Sequence, residues 1–345
     1  MIPALVWDMR ATTPALGLLV GLAVAGGTAP DPWRKRTQPL QFVIKESEIE
    51  SWKSWTGPLI SERYRLILWA LPKVGCTDMM RLFYRMAGHE TWRELPWFKS
   101  RSDGRDDIAL SARKSPARIQ ALLNNKSYTR AVFFRDPVER LLSAYLDKIS
   151  IDVRAKNTTM ISKMARQMLK SARRPSDVAA LSLADFVELL EIPVRPQREW
   201  KGDFHLEGLT KHSNPHWRPQ SMLVHPEWLG MLDFVGSFKH LAEHMEALLT
   251  RVGAWADHGA AGWAPPTGAG VNLLLKRMTP GSKQRYLDLS EGDGAGGAIF
   301  RAGQSPHATS ARDKLAEWYD SRLLERTRAL YADDYAMLQR LGVDL

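Results

Sequence analysis

Two apolar runs, each followed by a polar turn and a helical pattern, set the strongest limit on how this chain can fold. Residues 65–71 and 129–134 are rich in aliphatic and aromatic side chains, as are the buried strands of parallel sheets. After the first run, apolar residues within 79–86 repeat at helical spacing; after the second, Asp136 suits an N-cap and Pro137 the first helical position. Alternating strands and helices predict an α/β fold with a mostly parallel central sheet flanked by helices. Such sheets bind ligands at the carboxyl ends of their strands.

The rest of the chain adds one more strand and several helices to this prediction. Residues 231–238 form a third strand candidate, and nothing repeats at a fixed period. Helical structure is predicted over 182–190, 240–252 and 310–341, with a loop rich in Gly, Ala and Pro over 253–270.

The N-terminal region differs in composition from the remainder of the chain. Residues 11–29 carry no charge and are rich in Leu, Val, Ala and Gly, although this stretch is short for a membrane-spanning helix. Ala23-Val24-Ala25 fits a signal-peptide cleavage site. We therefore expect a signal-anchor or signal peptide over residues 1–29, a stem or linker over 30–40 and the folded domain over 41–345. A disordered or buried N-terminal segment remains the alternative.

Charge and cysteine content restrict the partners. The 345 residues carry a formal net charge of +10, which favours anionic partners such as nucleotides, acidic polysaccharides, nucleic acid or anionic lipid. Cys76 is the single cysteine, so an internal disulfide is impossible. Asn125-Lys126-Ser127 and Asn157-Thr158-Thr159 fit the N-glycosylation pattern, which is common by chance.

The turn after the first strand, Pro72-Lys73-Val74-Gly75-Cys76-Thr77, has the composition of an anion-binding loop. Gly75 allows the backbone to approach an anion closely, the N–H groups at the helix start point outward, and Thr77 adds a hydroxyl. Lys73 can reach the same anion as a point charge. The Walker A pattern is absent, which disfavours a nucleotide kinase or ATPase. An ordinary strand–turn–helix corner with a surface lysine is the alternative interpretation.

The turn after the second strand offers a second anion-binding group. Arg135 ends the strand, and Ser143 follows eight residues later in the next helix. The guanidinium could bind a phosphate in bidentate fashion while the hydroxyl donates to it. The alternative is a structural ion pair between Arg135 and Asp136 or another nearby carboxylate. Two further cations, Arg140 and Lys148, are expected in solvent or paired with Glu139 and Asp147.

Together these strings resemble the nucleotide-binding elements of the carbohydrate sulfotransferases, especially the Golgi chondroitin/dermatan type. Residues 72–77 match the family form Pro-Lys-Val-x-Cys-Thr, and residues 135–145 match Arg-Asp-Pro-x-Glu-Arg-Leu-x-Ser-Ala-Tyr. Residues 216–220 and 233–236 are similar to His-Trp-x-Pro-Gln and Asp-Phe-Ile-Gly, and residues 331–335 to the C-terminal part of more distant members. The resemblance extends in patches from about residue 65 to about residue 340.

The resemblance implies a P-loop-like three-layer fold, a donor and an acceptor. The donor is 3′-phosphoadenylyl sulfate (PAPS), the acceptor an anionic or neutral glycan, and neither a metal nor nucleic acid is expected. It also implies a catalytic domain in the Golgi lumen on a single-pass type II anchor, or secretion after signal cleavage. Arg135 and Ser143 would hold the 3′-phosphate, and the 5′-phosphosulfate would be held by Lys73, Val74, Gly75, Cys76, Thr77 and Asp78.

This chain also departs from the family pattern. Animal members carry cysteines where Val224 and Glu227 stand here, which fits the loss of one cross-link. The region between Ile149 and Lys211, where the acceptor is expected to bind, matches nothing recognisable. The acceptor is therefore left open.

Sulfuryl transfer needs a group that stabilises the leaving phosphate and a base that accepts the acceptor's proton. Lys73 is the candidate for the first role. His216, with a pKa near neutrality, is the candidate for the second, because its string gives no structural reason for a histidine. Cys76 is expected to be a small loop residue and not a nucleophile, and Trp217 to pack in the core or flank a sugar ring. Other candidate bases are a carboxylate, His205, His212 and His307.

Three other functions stay open. A sulfotransferase could act on a small alcohol, a phenol or a protein tyrosine. A nucleotide kinase is disfavoured by the missing Walker loop. A non-catalytic polyanion binder would need only the positive surface charge.

Overall fold

A four-stranded sheet lies at the centre of the described part of the chain. The computed structural model describes residues 30–52, 57–90, 92, 107–113, 115–150, 181–191, 214–259 and 311–345. The predicted anchor over 1–29 therefore lies outside the described residues, as do His205, His212, His307 and most of 149–211.

The sheet has the order β1-β2-β3-β4. β1 (Pro58–Ser61) pairs antiparallel with β2 (Leu66–Trp69), whereas β3 (Thr129–Phe134) lies parallel to both β2 and β4 (Phe234–Ser237). The sheet is thus mostly parallel, as predicted. β1 is the strand that the sequence did not predict, since its four residues are too few to show a period.

Helices flank this sheet, which confirms the mixed α/β class. The short connection from β3 into α4 and the parallel pairing of β2 with β3 bring the ends of both strands to one edge of the sheet. The helices are α1 (Glu46–Ser51), α2 (Cys76–Met86), α3 (Pro116–Asn124), α4 (Pro137–Lys148), α5 (Leu183–Glu191), α6 (Leu241–Arg251), α7 (Leu315–Trp318), α8 (Ser321–Leu330) and α9 (Ala332–Arg340).

The start of α4 has the predicted cap. Asp136 Oδ1 accepts a hydrogen bond from the Glu139 N–H at 2.9 Å, and Pro137 occupies the first turn. In contrast, the predicted loop over 253–270 contains one π-helical turn, Trp255–Gly259, and residues 260–270 lie outside the described residues.

Two apolar clusters surround the candidate site. One contains the sheet together with Val74 and Met79 of the first loop and helix. The other joins α4 and α5 to Trp217 and Tyr331. The loop after β2 thus comes from the first cluster and α4 from the second, and their residues meet at the carboxyl ends of β2 and β3.

Residues 30–40, predicted to be a stem, lie beside β4 in the structure. Trp33 bridges antiparallel to Phe234, and the carbonyl of Pro32 accepts a hydrogen bond from the Val235 N–H at 2.9 Å. Across the described residues, no helix combines the length and apolar character needed to span a bilayer.

Candidate active site

The loop between β2 and α2 contains two residues in the left-handed backbone region. Lys73 has φ 67° and Gly75 has φ 77°, and Gly75 is the N-cap of α2. A positive φ costs a non-glycine residue conformational energy, so the surrounding contacts must hold Lys73 in place. The N–H groups of Cys76 and Thr77 begin the helix and have no acceptor within it. N–H groups at such a helix start can donate to an anion.

The Lys73 side chain belongs to a cluster of three charges. Its Nζ lies 3.0 Å from Asp147 Oδ2, and Lys148 Nζ lies 3.0 Å from the same oxygen. The Lys73 side chain is only 8% exposed, so the alternative of a surface lysine is wrong. Burial lowers the pKa of Lys73, and the Asp147 carboxylate opposes that shift. The predicted pairing of Lys148 with Asp147 is confirmed.

Arg135 connects the second predicted anion-binding group to the first. Its Nη1 donates to the carbonyl of Lys73 at 3.1 Å, and its guanidinium stacks over the Phe238 ring at 4.5 Å. Its Nε also pairs with Glu139 Oε2 at 3.4 Å, and the other oxygen of that carboxylate, Oε1, pairs with Arg312 Nε at 2.9 Å. The structural ion pair considered for Arg135 is thus present. With this ion pair formed, the buried guanidinium still contacts the Lys73 loop.

The other predicted residues of the two groups lie around this contact. Val74 is fully buried and anchors the loop, while Cys76, Thr77 and Asp78 are partly exposed at the start of α2. Burial raises the pKa of the Cys76 thiol, which keeps it protonated and agrees with a packing role. Ser143 is buried on α4 and takes part in a polar interaction within the protein.

Arg140 differs from its prediction. It was expected to be in solvent or paired with Glu139, yet it is 1% exposed. It donates to the carbonyls of Pro72 at 3.0 Å, Arg218 at 2.8 Å and Pro215 at 2.6 Å. The sequence did not show this position because it depends on tertiary contacts: both loops that Arg140 binds are distant from it along the chain. Arg140 therefore joins the Lys73 loop to the loop that carries His216.

His216 lies close to the Lys73 cluster, but it has an unexpected pKa. Burial, followed by the nearby charges of Lys148 and Lys73, lowers the pKa of His216 to about 3. The expectation of a pKa near neutrality is therefore wrong for this environment. Its ring Nδ1 lies 2.7 Å from Asn214 Oδ1. The neighbouring Trp217 is fully buried and packs edge-on against Phe186, so of its two predicted roles the structure shows the core one.

Sequence reasoning missed four residues that support the site. Gln220 closes the string that begins at His216, and its side-chain amide binds both the N–H and the carbonyl of Arg135. All four residues lie within the motif strings at 216–220 and 331–335, but these strings did not reveal their roles. The other three lie in α9 or at its start: Tyr331, Asp334 and Tyr335.

Among the described residues, no group of three or more His, Cys, Asp or Glu side chains is placed to hold a metal ion.

Comparisons with known proteins identify the family of this chain. The sequence profile of the sulfotransferase family matches residues 57–339. Carbohydrate sulfotransferase 14 of Mus musculus is 29% identical over 197 residues, which make up 57% of this chain and 46% of that protein. Carbohydrate sulfotransferase 11 of Rattus norvegicus is 25% identical over 198 residues, 56% of this chain and 52% of that protein. The chain thus spans about half the length of the curated relatives it matches, and no solved structure matches it. Because the family profile covers most of its length, the chain belongs to the sulfotransferase family.

Proposed function

We propose that this protein transfers the sulfuryl group from PAPS to a hydroxyl of a carbohydrate acceptor. The observation that carries the proposal is the 3.1 Å hydrogen bond from Arg135 Nη1 to the Lys73 carbonyl. It joins the two anion-binding groups at neighbouring ends of parallel strands, so one nucleotide with phosphates on both sides of its ribose can contact both. The names of the relatives support a carbohydrate as the acceptor.

In this proposal the first loop binds the end of the donor that reacts. Negative charge develops on the 5′-phosphate as the S–O bond to it breaks, and Lys73 stabilises that charge. The backbone N–H groups of residues 74–78 share this role. Arg135 and Ser143 bind the 3′-phosphate at the other end. The sulfuryl group passes directly to the acceptor oxygen, so Cys76 forms no covalent bond.

His216 is the proposed base that accepts the proton of the acceptor hydroxyl. In the absence of the donor, the positive charges of Lys73 and Lys148 contribute to the low pKa of His216, which makes it a weak base. A bound phosphosulfate places negative charge among these cations, which raises the pKa of the imidazole. The strength of the base would therefore depend on the presence of the donor.

The finer details of fold and location are also proposals. We infer a P-loop-like three-layer arrangement from the family and from the parallel strands that end at the site. We place the catalytic domain in the Golgi lumen, anchored by residues 1–29 or secreted after their cleavage. The charge-free composition of residues 11–29 supports both forms. The acceptor is a neutral or anionic glycan.

Transfer of radiolabelled sulfate from PAPS tests the function directly. The panel contains desulfated chondroitin and dermatan, small alcohols, phenols and a tyrosine peptide. Label on a glycan supports the proposal. Label confined to the small acceptors or the peptide would show that the acceptor is not a carbohydrate. If no acceptor is labelled and adenosine 3′,5′-bisphosphate gives no thermal shift, the protein is not a sulfotransferase of this kind.

A further inference from the structure

Helix α9 directs three polar side chains toward the two nucleotide-binding groups. Tyr331, Asp334 and Tyr335 are spaced i, i+3 and i+4, which puts them on one face of the helix. The Tyr331 hydroxyl donates to the carbonyl of Trp217 at 2.5 Å, and the Tyr335 hydroxyl donates to Asp136 Oδ2 at 3.0 Å. The same face therefore reaches both the loop of His216 and the start of α4.

Asp334 makes the largest number of these contacts. The residue is fully buried, and its Oδ2 accepts from the Gln220 N–H at 2.8 Å. Its Oδ1 accepts from the Ser221 N–H at 2.8 Å and from the Ser221 hydroxyl at 2.7 Å. Three donors thus converge on one carboxylate, which fixes the backbone of Gln220.

Gln220 passes this constraint to Arg135. Its Oε1 accepts from the Arg135 N–H at 3.0 Å, and its Nε2 donates to the Arg135 carbonyl at 2.8 Å. The side-chain amide therefore binds the main chain on both sides of the Arg135 Cα atom. Because Gln220 is itself fully buried, no water can replace this pair of bonds easily.

We propose that Asp334 is a positioning residue that sets the place of the Arg135 guanidinium through Gln220. The proposal rests on the proposed function and deepens it, because it assigns Asp334 to the recognition of the donor's 3′-phosphate. Tyr335 adds a second constraint. It binds Asp136, which caps the helix that carries Ser143. One face of α9 thus positions both groups that bind the 3′-phosphate.

Two ligands separate this role from a general loss of stability. Adenosine 3′,5′-bisphosphate carries the 3′-phosphate, whereas adenosine 5′-phosphate lacks it. Asp334→Asn replaces one acceptor oxygen by an NH₂ group that faces a donor. Asp333→Asn makes the same chemical change at an exposed position one residue away and is the matched control. Both affinities are measured by calorimetry, the weaker by competition.

We expect Asp334→Asn to reduce the affinity for the bisphosphate about tenfold, since hydrogen bonds to a charged group are lost, and the affinity for adenosine 5′-phosphate less than about twofold. Asp333→Asn should bind both nucleotides with the same affinities as the protein without substitutions. Equal loss for both ligands, or no loss for either, would overturn the proposal.

Tyr335→Phe keeps the test decisive if Asp334→Asn fails to fold. It removes one hydroxyl and should lower the preference for the bisphosphate by a smaller factor; an unchanged preference contradicts the role of α9. Arg135→Ala identifies a failure of the proposed function itself. If the unchanged protein shows no preference for the 3′-phosphate and Arg135→Ala changes nothing, then the donor assignment is wrong together with the inference.

Discussion

At the scale of single residues, Asn214 decides which nitrogen of His216 carries a proton. Asn214 Oδ1 accepts the backbone N–H of His216 at 2.9 Å, so this atom must be the amide oxygen. The same oxygen lies 2.7 Å from His216 Nδ1, which must then be protonated to donate. Nε2 therefore carries the lone pair that can take the proton from the hydroxyl of the substrate.

This arrangement predicts how activity depends on pH. With the pKa of His216 at about 3, the imidazole is neutral across the usual range of assays. In the protein without substitutions, its protonation should therefore cause no fall between pH 5 and 8 in kcat/KM for PAPS, which reports the donor-free enzyme. Asn214→Asp places a carboxylate on Nδ1 and should raise the pKa of His216 by about 1–3 pH units. Activity should then fall as the pH drops through the raised pKa, because the base becomes protonated.

The measurement is kcat/KM against pH for both proteins. His216→Gln combined with Asn214→Asp is the control, and it should lack the new acid limb. Identical profiles for the unchanged protein and Asn214→Asp would show that another group is the base.

Lys73 gives the second prediction at this scale. If its ammonium stabilises charge on the leaving phosphate, Lys73→Ala should lower kcat by about 100-fold or more. The dissociation constant of adenosine 3′,5′-bisphosphate should rise by less than about tenfold, because Arg135 and the loop N–H groups still bind it. Steady-state kinetics and calorimetry measure the two quantities. Lys126→Ala, an exposed lysine before β3, is the control that should retain full activity. Near-normal turnover of Lys73→Ala would remove this lysine from the mechanism.

At the scale of elements, Arg140 explains why α4 and the two site loops keep their positions. Its three hydrogen bonds to carbonyl oxygens span two loops that are more than 140 residues apart along the chain at their extremes. A lysine has one ammonium on a flexible stem and cannot reach all three oxygens. We therefore expect Arg140→Lys to lower the free energy of unfolding by about 2–4 kcal/mol.

Urea denaturation measures this loss. Arg118→Lys is the matched control, because Arg118 is exposed and has a 3.5 Å ion pair with Glu62; it should change stability by less than about 1 kcal/mol. Equal stability of the Arg140 and Arg118 variants would mean that the three bonds contribute little.

Local sequence determines the elements that could be predicted here. β3 has the predicted bounds, and α4 begins at the predicted cap, because an apolar run and an Asp-Pro pair act over a few residues. The contact of Arg135 with Lys73 likewise fits the alternation of strands and helices along the sequence. It follows from parallel strands that end at one edge of the sheet.

What could not be predicted depends on contacts between distant segments. The buried position of Arg140 needs the loop of Pro215, and the low pKa of His216 needs the charges of Lys73 and Lys148. Asp334 was visible only as one letter of a C-terminal string, since its three donors lie more than 100 residues earlier. Such roles follow from tertiary structure and leave no local pattern.

At the scale of the whole molecule, residues 30–40 cover one edge of the sheet. The N–H of Arg34 donates to the carbonyl of Asp233 at 3.0 Å, and Arg36 pairs with its carboxylate at 3.2 Å. Trp33 packs edge-on against Phe234 at 5.0 Å and lies under the guanidinium of Arg251 at 4.8 Å. Uncovered edge strands invite pairing with other chains, so this segment protects β4.

These contacts decide between a stem and a part of the folded domain. A protein that begins at residue 41 loses the hydrogen bonds to β4 and the packing of Trp33, so its melting temperature should be at least about 5 °C lower than that of one beginning at residue 30. In the longer protein, Trp33→Ala should lower the free energy of unfolding by about 1–3 kcal/mol, whereas Lys35→Ala, at an exposed position, should leave it unchanged. Calorimetry measures both. If the two proteins melt together and Trp33→Ala costs nothing, residues 30–40 are the stem that the sequence predicts, and their contacts with β4 add no stability.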